Sequence, residues 1–189
     1  MIKDWHEKLL EYFPAREMKS KKHFESLFTE KEKVYKKEEG PEYVLVYLEQ
    51  QDFIFIDYIL VSGSRRSRGT GSRLLDRLKQ KNKAIILEVE PENASDPDSL
   101  KRIDFYQRNG FKEMGSIQYE RIHAVTGELN KMDIYSWAPS PRTDEWVFER
   151  MKYVYQEIHA FNSKKLYGKN PQPADDVLQL RKKSFSKAK

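Results

Sequence analysis

The run FIFIDYILVSGSRRSRGTGSRLL, from Phe53 to Leu75, constrains this chain more than any other, because it joins a buried strand to a basic glycine turn that opens a helix. Residues 53–61 are apolar on both faces except at Asp57, the pattern of a central strand covered on each side rather than a half-exposed hairpin arm. Leu74, Leu75 and Leu78 then recur at helical spacing. Between strand and helix stand Arg66, Ser67, Arg68, Gly69, Thr70, Gly71 and Ser72. The N–H groups of such a turn and of the first helical residues have no partner inside the helix and carry the positive end of its dipole. They suit a pyrophosphate, and glycine lets the main chain come close to it.

The flanking periodicities fill in the rest. Residues 3–13 put Trp5, Leu9 and Tyr12 or Phe13 on one helical face until Pro14 ends it, and Ser20 can cap a second helix with Phe24, Leu27 and Phe28 inward. Residues 33–37 and 43–48 read as strands about a Gly40-Pro41 turn, and Gln50, Gln51 and Asp52 turn into the strand at 53, so antiparallel neighbours are expected. A helix over 72–81 and a strand over 83–90 complete a parallel crossover. The polar loop 91–98 caps a helix over 99–108, which Asn109-Gly110 stops. Strands are expected over 111–114, 117–124 and 132–137.

From Asp144 onward, Val147, Met151, Val154, Ile158 and Phe161 recur at steps of four and three, which predicts an extra C-terminal helix with one apolar face. That face is expected to pack on the domain, with a homodimer contact as the alternative. Beyond Asn162 the chain turns polar and is expected to run out as a tail. The expected organisation is therefore an α+β domain over 1–140, with a mixed sheet flanked by helices, a helical extension over 141–163 and a polar basic tail over 164–189.

Charge and composition narrow the function classes. The formal charge of +5 invites a nucleic-acid partner, but five of the 35 basic residues lie in the last nine positions, where no acid stands. The rest of the chain holds as many bases as acids, so nucleic acid is not expected as a partner. No apolar run approaches the roughly 20 residues of a membrane helix, and the first residues lack the apolar core of a secretory signal, so a cytoplasmic protein with no membrane partner is expected. The absence of cysteine excludes disulfides, thiol nucleophiles and cysteine zinc sites. His6, His23, His123 and His159 are scattered without ligand spacing and read as ordinary surface or core residues, so no metal is expected.

Two nucleotide-binding motifs are excluded. The turn has no Gly-Lys-Ser/Thr ending, and Gly69-x-Gly71 lacks the third glycine of the dinucleotide fingerprint, while Glu88 and Glu90 come too early to hold a ribose. Another pyrophosphate ligand remains. Three blocks, Arg66-Ser-Arg-Gly-Thr-Gly71, Leu87-Glu-Val-Glu-Pro-Glu-Asn93 and Phe105-Tyr-Gln-Arg-Asn-Gly-Phe111, together resemble the GNAT superfamily of acetyl-coenzyme A dependent N-acetyltransferases, in order and separation. They resemble its coenzyme A turn, its next strand with an Asn-ending loop, and its Phe-Tyr-x-x-x-Gly-Phe signature. The chain as a whole looks most like a bacterial branch of that superfamily.

The resemblance implies a twisted mixed sheet in which the strands at 53–61 and 84–90 splay apart, so that the pantetheine arm of acetyl-CoA lies between them against the backbone of Leu60 and Val61. It implies cofactor contacts from Arg66 to Ser72, from Asn93 and from Tyr106, with at least one of Arg65, Arg66 and Arg68 on phosphate. The loop between Asn93 and Phe105 is several residues longer than the family's. The implied reaction is direct attack of an amine, small and cationic or on a peptide or protein, on the thioester.

An alkylamine has a pKa near that of lysine, about 10.4, so a base must take its proton. Glu88 matches the proposed base of the ribosomal-protein alanine acetyltransferases. Asp57 is the second candidate, because a carboxylate alone in an apolar strand is costly unless paired or used; histone-type members place a Glu nearby, at the position of Phe55. Tyr106 matches the family's general acid, which protonates the departing thiolate. A coenzyme A-binding sensor or scaffold without transfer is the alternative. The acceptor is expected to be set by residues 14–30 and by the loop around Gly127.

Overall fold

The computed structural model describes residues 4–62 and 69–181. Asp4 accepts from the N–H of Glu7 at 2.8 Å and Glu7 accepts from the N–H of Asp4 at 3.0 Å, a reciprocal cap that starts helix α1 (Trp5–Tyr12). A 3-10 turn, Ala15–Glu17, leads to α2 (Lys21–Glu30), capped by Ser20 as the sequence predicts. Strands β1 (Tyr35–Gly40), β2 (Tyr43–Glu49) and β3 (Phe53–Val61) form an antiparallel meander. Helix α3 (Thr70–Lys79) crosses to β4 (Ala84–Val89), which lies parallel to β3.

Helix α4 (Pro97–Arg108) precedes β5 (Lys112–Glu113), β6 (Ile117–Ile122) and β7 (Leu129–Trp137). The eight-stranded sheet, which includes β8 (Leu178–Leu180), runs β1-β2-β3-β4-β7-β6-β8, with β5 on β7. It is the mixed, helix-flanked α+β sheet that the sequence predicts. One face packs Leu9, Phe24, Leu27 and Met151 from α1, α2 and α5 (Asp144–Val154); the other packs Leu75, Leu78 and Tyr106 from α3 and α4. No described helix is long and apolar enough to cross a membrane.

Two expectations for the C-terminal third change. The periodicity predicts one α-helix to Phe161, but α5 ends at Val154 and Tyr155–His159 winds as a π turn. Ile158 and its neighbour His159 are both buried in this turn. Residues 164–181 are also not a free tail. Helices α6 (Ser163–Tyr167) and α7 (Ala174–Val177) lead to β8 (Leu178–Leu180), which pairs antiparallel with β6. Leu178 and Leu180 flank an outward Gln179, a half-buried edge strand too short to stand out in polar surroundings. Residues 182–189 lie outside the described residues.

β3 carries the feature that shapes the site. Val46 of β2 faces Tyr58 and Tyr47 faces Ile56, so Asp57 has no partner on β2 and forms a bulge. Parallel pairing of β3 with β4 runs from Phe53 and Ala84 to Ile56 and Leu87, and stops one residue before the bulge. Beyond it, β3 stays with β2 as far as Val61 and β4 stays with β7 as far as Val89. A bulge bends its strand and sharpens the twist, and here the bend parts the two central strands.

Candidate active site

The parting of β3 and β4 opens a cleft of about 790 Å³. At one end stands the start of α3. Gly69, the N-cap residue, has φ +73°, a left-handed backbone that costs a side chain-bearing residue about 1–2 kcal/mol. A Cβ on Gly71 would come within 2.9 Å of the Phe105 ring, so only glycine lets α3 approach α4 this closely. Gly69, Gly71, Ser72 and Val61 line the cleft. Thr70 turns its hydroxyl to Arg73 of its own helix at 2.9 Å, and the Leu60 side chain is buried in the core, leaving only its backbone to the site. Arg65, Arg66, Ser67 and Arg68 lie outside the described residues.

The other end is acidic, lined by Glu17, Asp57, Glu88 and Glu90 with Tyr106. Tyr106 packs edge-on against Phe105 and Phe111; burial, and then the neighbouring Tyr12, push its phenol above the ordinary value. Asp57 is not an isolated carboxylate. Lys19 Nζ donates to its two oxygens at 2.7 and 2.8 Å and the Tyr35 hydroxyl donates at 2.5 Å. Burial opposes its charge, yet Lys19, His159 and the Tyr35 hydroxyl together outweigh burial and hold the Asp57 carboxyl below the ordinary value.

Glu88 is answered by a residue that sequence reading passed over. His159 Nε2 lies 2.8 Å from Glu88 Oε1, and the imidazole is 3% exposed. Burial lowers the pKa of His159 even against the pull of Glu88. Because a carboxylate only accepts, the proton of this hydrogen bond sits on Nε2. Burial also penalises the Glu88 anion, but the facing His159, with Arg121 and Lys19 further off, holds it ionised below its ordinary value. Glu90 accepts from Arg16 at 2.8 Å and from Arg102 at 2.5 Å. The only sign of His159 in the sequence is a polar ring beside an inward position of the C-terminal period, 71 residues from its partner.

Asn93 stands apart from this assembly. Its side-chain oxygen accepts from Ser95 N–H at 2.9 Å, its N–H donates to Ser99 Oγ at 3.0 Å, and it is not part of the cleft wall. The longer loop closes on itself through the Asn93–Asp96 bridge and uses the asparagine to make its own turn.

Known proteins resemble this chain in sequence and fold. The acetyltransferase (GNAT) domain family matches residues 28–113. A Bacillus subtilis (strain 168) protein described as "Putative acetyltransferase YjbC" is 45% identical over 177 residues, which cover 94% of this chain and 92% of that one. A solved structure described as "Putative acetyltransferase from GNAT family from Bacteroides thetaiotaomicron" has the same fold, with a TM-score of 0.59 at 21% identity over 87% of this chain and 90% of its own. The chain belongs to the GNAT acetyltransferase superfamily. Membership makes it an acyltransferase whose donor is acetyl-CoA.

Proposed function

We propose that the protein moves the acetyl group of acetyl-CoA to the nitrogen of a cationic amine, small or at a peptide terminus, by direct attack in a ternary complex. The observation that carries this reading is the parting of β3 from β4 after Ile56 and Leu87, at a cleft that ends on carboxylates. The amides of a pantetheine arm would run along Leu60 and Val61 as an added strand on the open side of β3. Gly69, Thr70, Gly71 and Ser72 would offer the first N–H groups of α3 to the pyrophosphate, with Arg66, Ser67 and Arg68 just upstream. Asn93, turned into its own loop, has no part in this set.

Tyr106 would give its proton to the departing thiolate, and its raised pKa keeps the phenol protonated until then. Glu88, held ionised, would receive the positive charge of the amine. Asp57 would serve to neutralise Lys19 rather than act as a base, since all its hydrogen bonds are taken from that side. With no cysteine in the chain, no thiol carries the acetyl group on the way.

Calorimetry with acetyl-CoA, followed by thiol release with a panel of amines, tests the reading. Binding and amine-dependent release are expected, and a thiol reagent sees no background from a chain without cysteine. No heat at millimolar acetyl-CoA would sink the donor site; heat without release across the panel would favour a binding role. A second result follows from the close approach of α3 and α4. In Gly71→Ala the new methyl group displaces Phe105, and acetyl-CoA should bind about tenfold more weakly, the lower end of an overpacking cost. An unchanged Kd would remove this turn from the ligand contact.

A further inference from the structure

Of the carboxylates that line the cleft, Asp57 is engaged by Lys19 and Tyr35, Glu88 by His159, Glu90 by Arg16 and Arg102, Asp96 by Arg102 and Asp98 by Lys101. Glu17 is the remaining one. Its side chain is 12% exposed, and its Oε1 is shielded from solvent with no hydrogen-bond partner. Arg16 Nη2 stands 3.9 Å away, too far for a hydrogen bond.

The main chain around this carboxylate is fixed from two directions. Tyr58 of β3 donates its hydroxyl to the Glu17 carbonyl at 2.6 Å and accepts from the Lys19 N–H at 3.2 Å. His123, just after β6, donates from Nε2 to the Met18 carbonyl at 2.9 Å, while its Nδ1 accepts from Thr126 N–H at 3.1 Å. A buried acceptor left unpaired is costly. A fold that keeps one, while fixing the backbone beneath it, holds it ready for a donor that arrives with a ligand.

We propose that Glu17 is the base that takes the proton from the acceptor's ammonium group; this rests on the amine-transfer reading above. One proton passes from the ammonium to the Glu17 carboxylate. The freed lone pair forms the nitrogen–carbon bond as the carbon–sulfur bond breaks, and sulfur takes a proton from Tyr106. The second nitrogen proton and the one on Glu17 go to solvent, and solvent restores Tyr106, so transfer yields one amide, one thiol and one net proton.

The surroundings suit the role. Burial, then the charge of Glu90, against Arg16 and Arg102 and with Glu88 adding, push the Glu17 carboxyl up to about 7. That matches neutral pH, where a base of this pKa is divided between its two forms and is still strong. Lys19, Arg121, His123 and His159 stand on its inner side, and Tyr12, Asp57 and Tyr106 across the cleft. Glu88, held low, is the better resting place for a cation and the poorer acceptor of its proton.

The first test is a carbon-13 titration of glutamate carboxyls in the full chain, with the Glu17 signal assigned by its loss in Glu17→Gln, alone and with spermidine as the probe cation. A midpoint near 7 that falls when spermidine is added is expected. A midpoint in the ordinary range, about 4.3, or one that spermidine leaves unmoved, overturns the proposal. Kinetics give the second readout. Glu17→Gln should lose about 10²–10⁴-fold in kcat/KM for spermidine near neutral pH. The loss should shrink by about tenfold per pH unit toward the amine's own pKa of about 10, where the acceptor arrives neutral. A loss that is constant with pH overturns the proposal. The two readings fail differently: a parent protein that binds acetyl-CoA but acetylates no amine sinks amine transfer and the Glu17 role with it, whereas amine transfer that Glu17→Gln leaves unchanged sinks Glu17 alone.

Discussion

Tyr106→Phe should lower turnover by about 10²–10⁴-fold while leaving acetyl-CoA affinity within a few-fold of the parent. The variant removes one oxygen and keeps the ring that packs between Phe105 and Phe111, so the fold should be little disturbed. What is lost is the proton for the leaving sulfur. An alkyl thiol has a pKa near that of cysteine, about 8.5, so its thiolate is a poor leaving group without an acid at hand. The defect should therefore shrink with a donor whose thiol is more acidic. Steady-state rates with both donors, beside calorimetry, check it; a variant that turns over like the parent removes Tyr106 from the acid role.

The second large effect is on stability. Lys19 and Asp57 are 6% and 3% exposed, and Asp57→Ala strands a buried ammonium and the Tyr35 hydroxyl. Breaking one side of a buried pair costs about 3–5 kcal/mol, whereas replacing both partners by apolar residues is often nearly neutral. Urea denaturation should show that loss for Asp57→Ala and recover most of it in Lys19→Met combined with Asp57→Leu. The pH dependence follows from the lowered carboxyl. The pair's contribution is complete above the unfolded carboxyl value of about 3.9 and is lost as the pH falls through the lower folded value. The variant and the parent should therefore converge in strong acid. An Asp57→Ala protein as stable as the parent but without turnover would return Asp57 to the list of bases.

Much of this molecule is legible in its sequence, for physical reasons that also say where legibility ends. A two-faced apolar run followed by a glycine turn and a leucine period leaves little freedom, and β3, α3 and the crossover to β4 follow from it. The inward side of α5 is readable in the same way. The bulge at Asp57 is not, because in a strand buried on both faces one extra residue shifts no inward–outward alternation, and the lone carboxylate marks the place without saying that the ladder is interrupted there. The same extra residue explains why a carboxylate is tolerated there, turned toward Lys19.

Other features depend on partners distant in sequence. Glu17 lies in a short turn between Pro14 and Ser20, where no period exists to be read, and its character comes from β3, β4 and α4. His159 meets Glu88 from the end of a π turn, 71 residues away along the chain. Asn93 shows the opposite failure. A position matched by motif sits in a loop that is longer here, and the added residues let the loop satisfy its own asparagine.

The hydrogen bond between His159 and Glu88 also sets an order of events. β1 to β7, and with them the cleft, are complete in the growing chain by Trp137, but the imidazole that steadies Glu88 comes 22 residues later. Until then a nascent chain with β1 to β7 in place carries Glu88 without its hydrogen-bond donor. A chain cut short before that point is a scaffold with an exposed flaw that chaperones and proteases can distinguish from the finished protein.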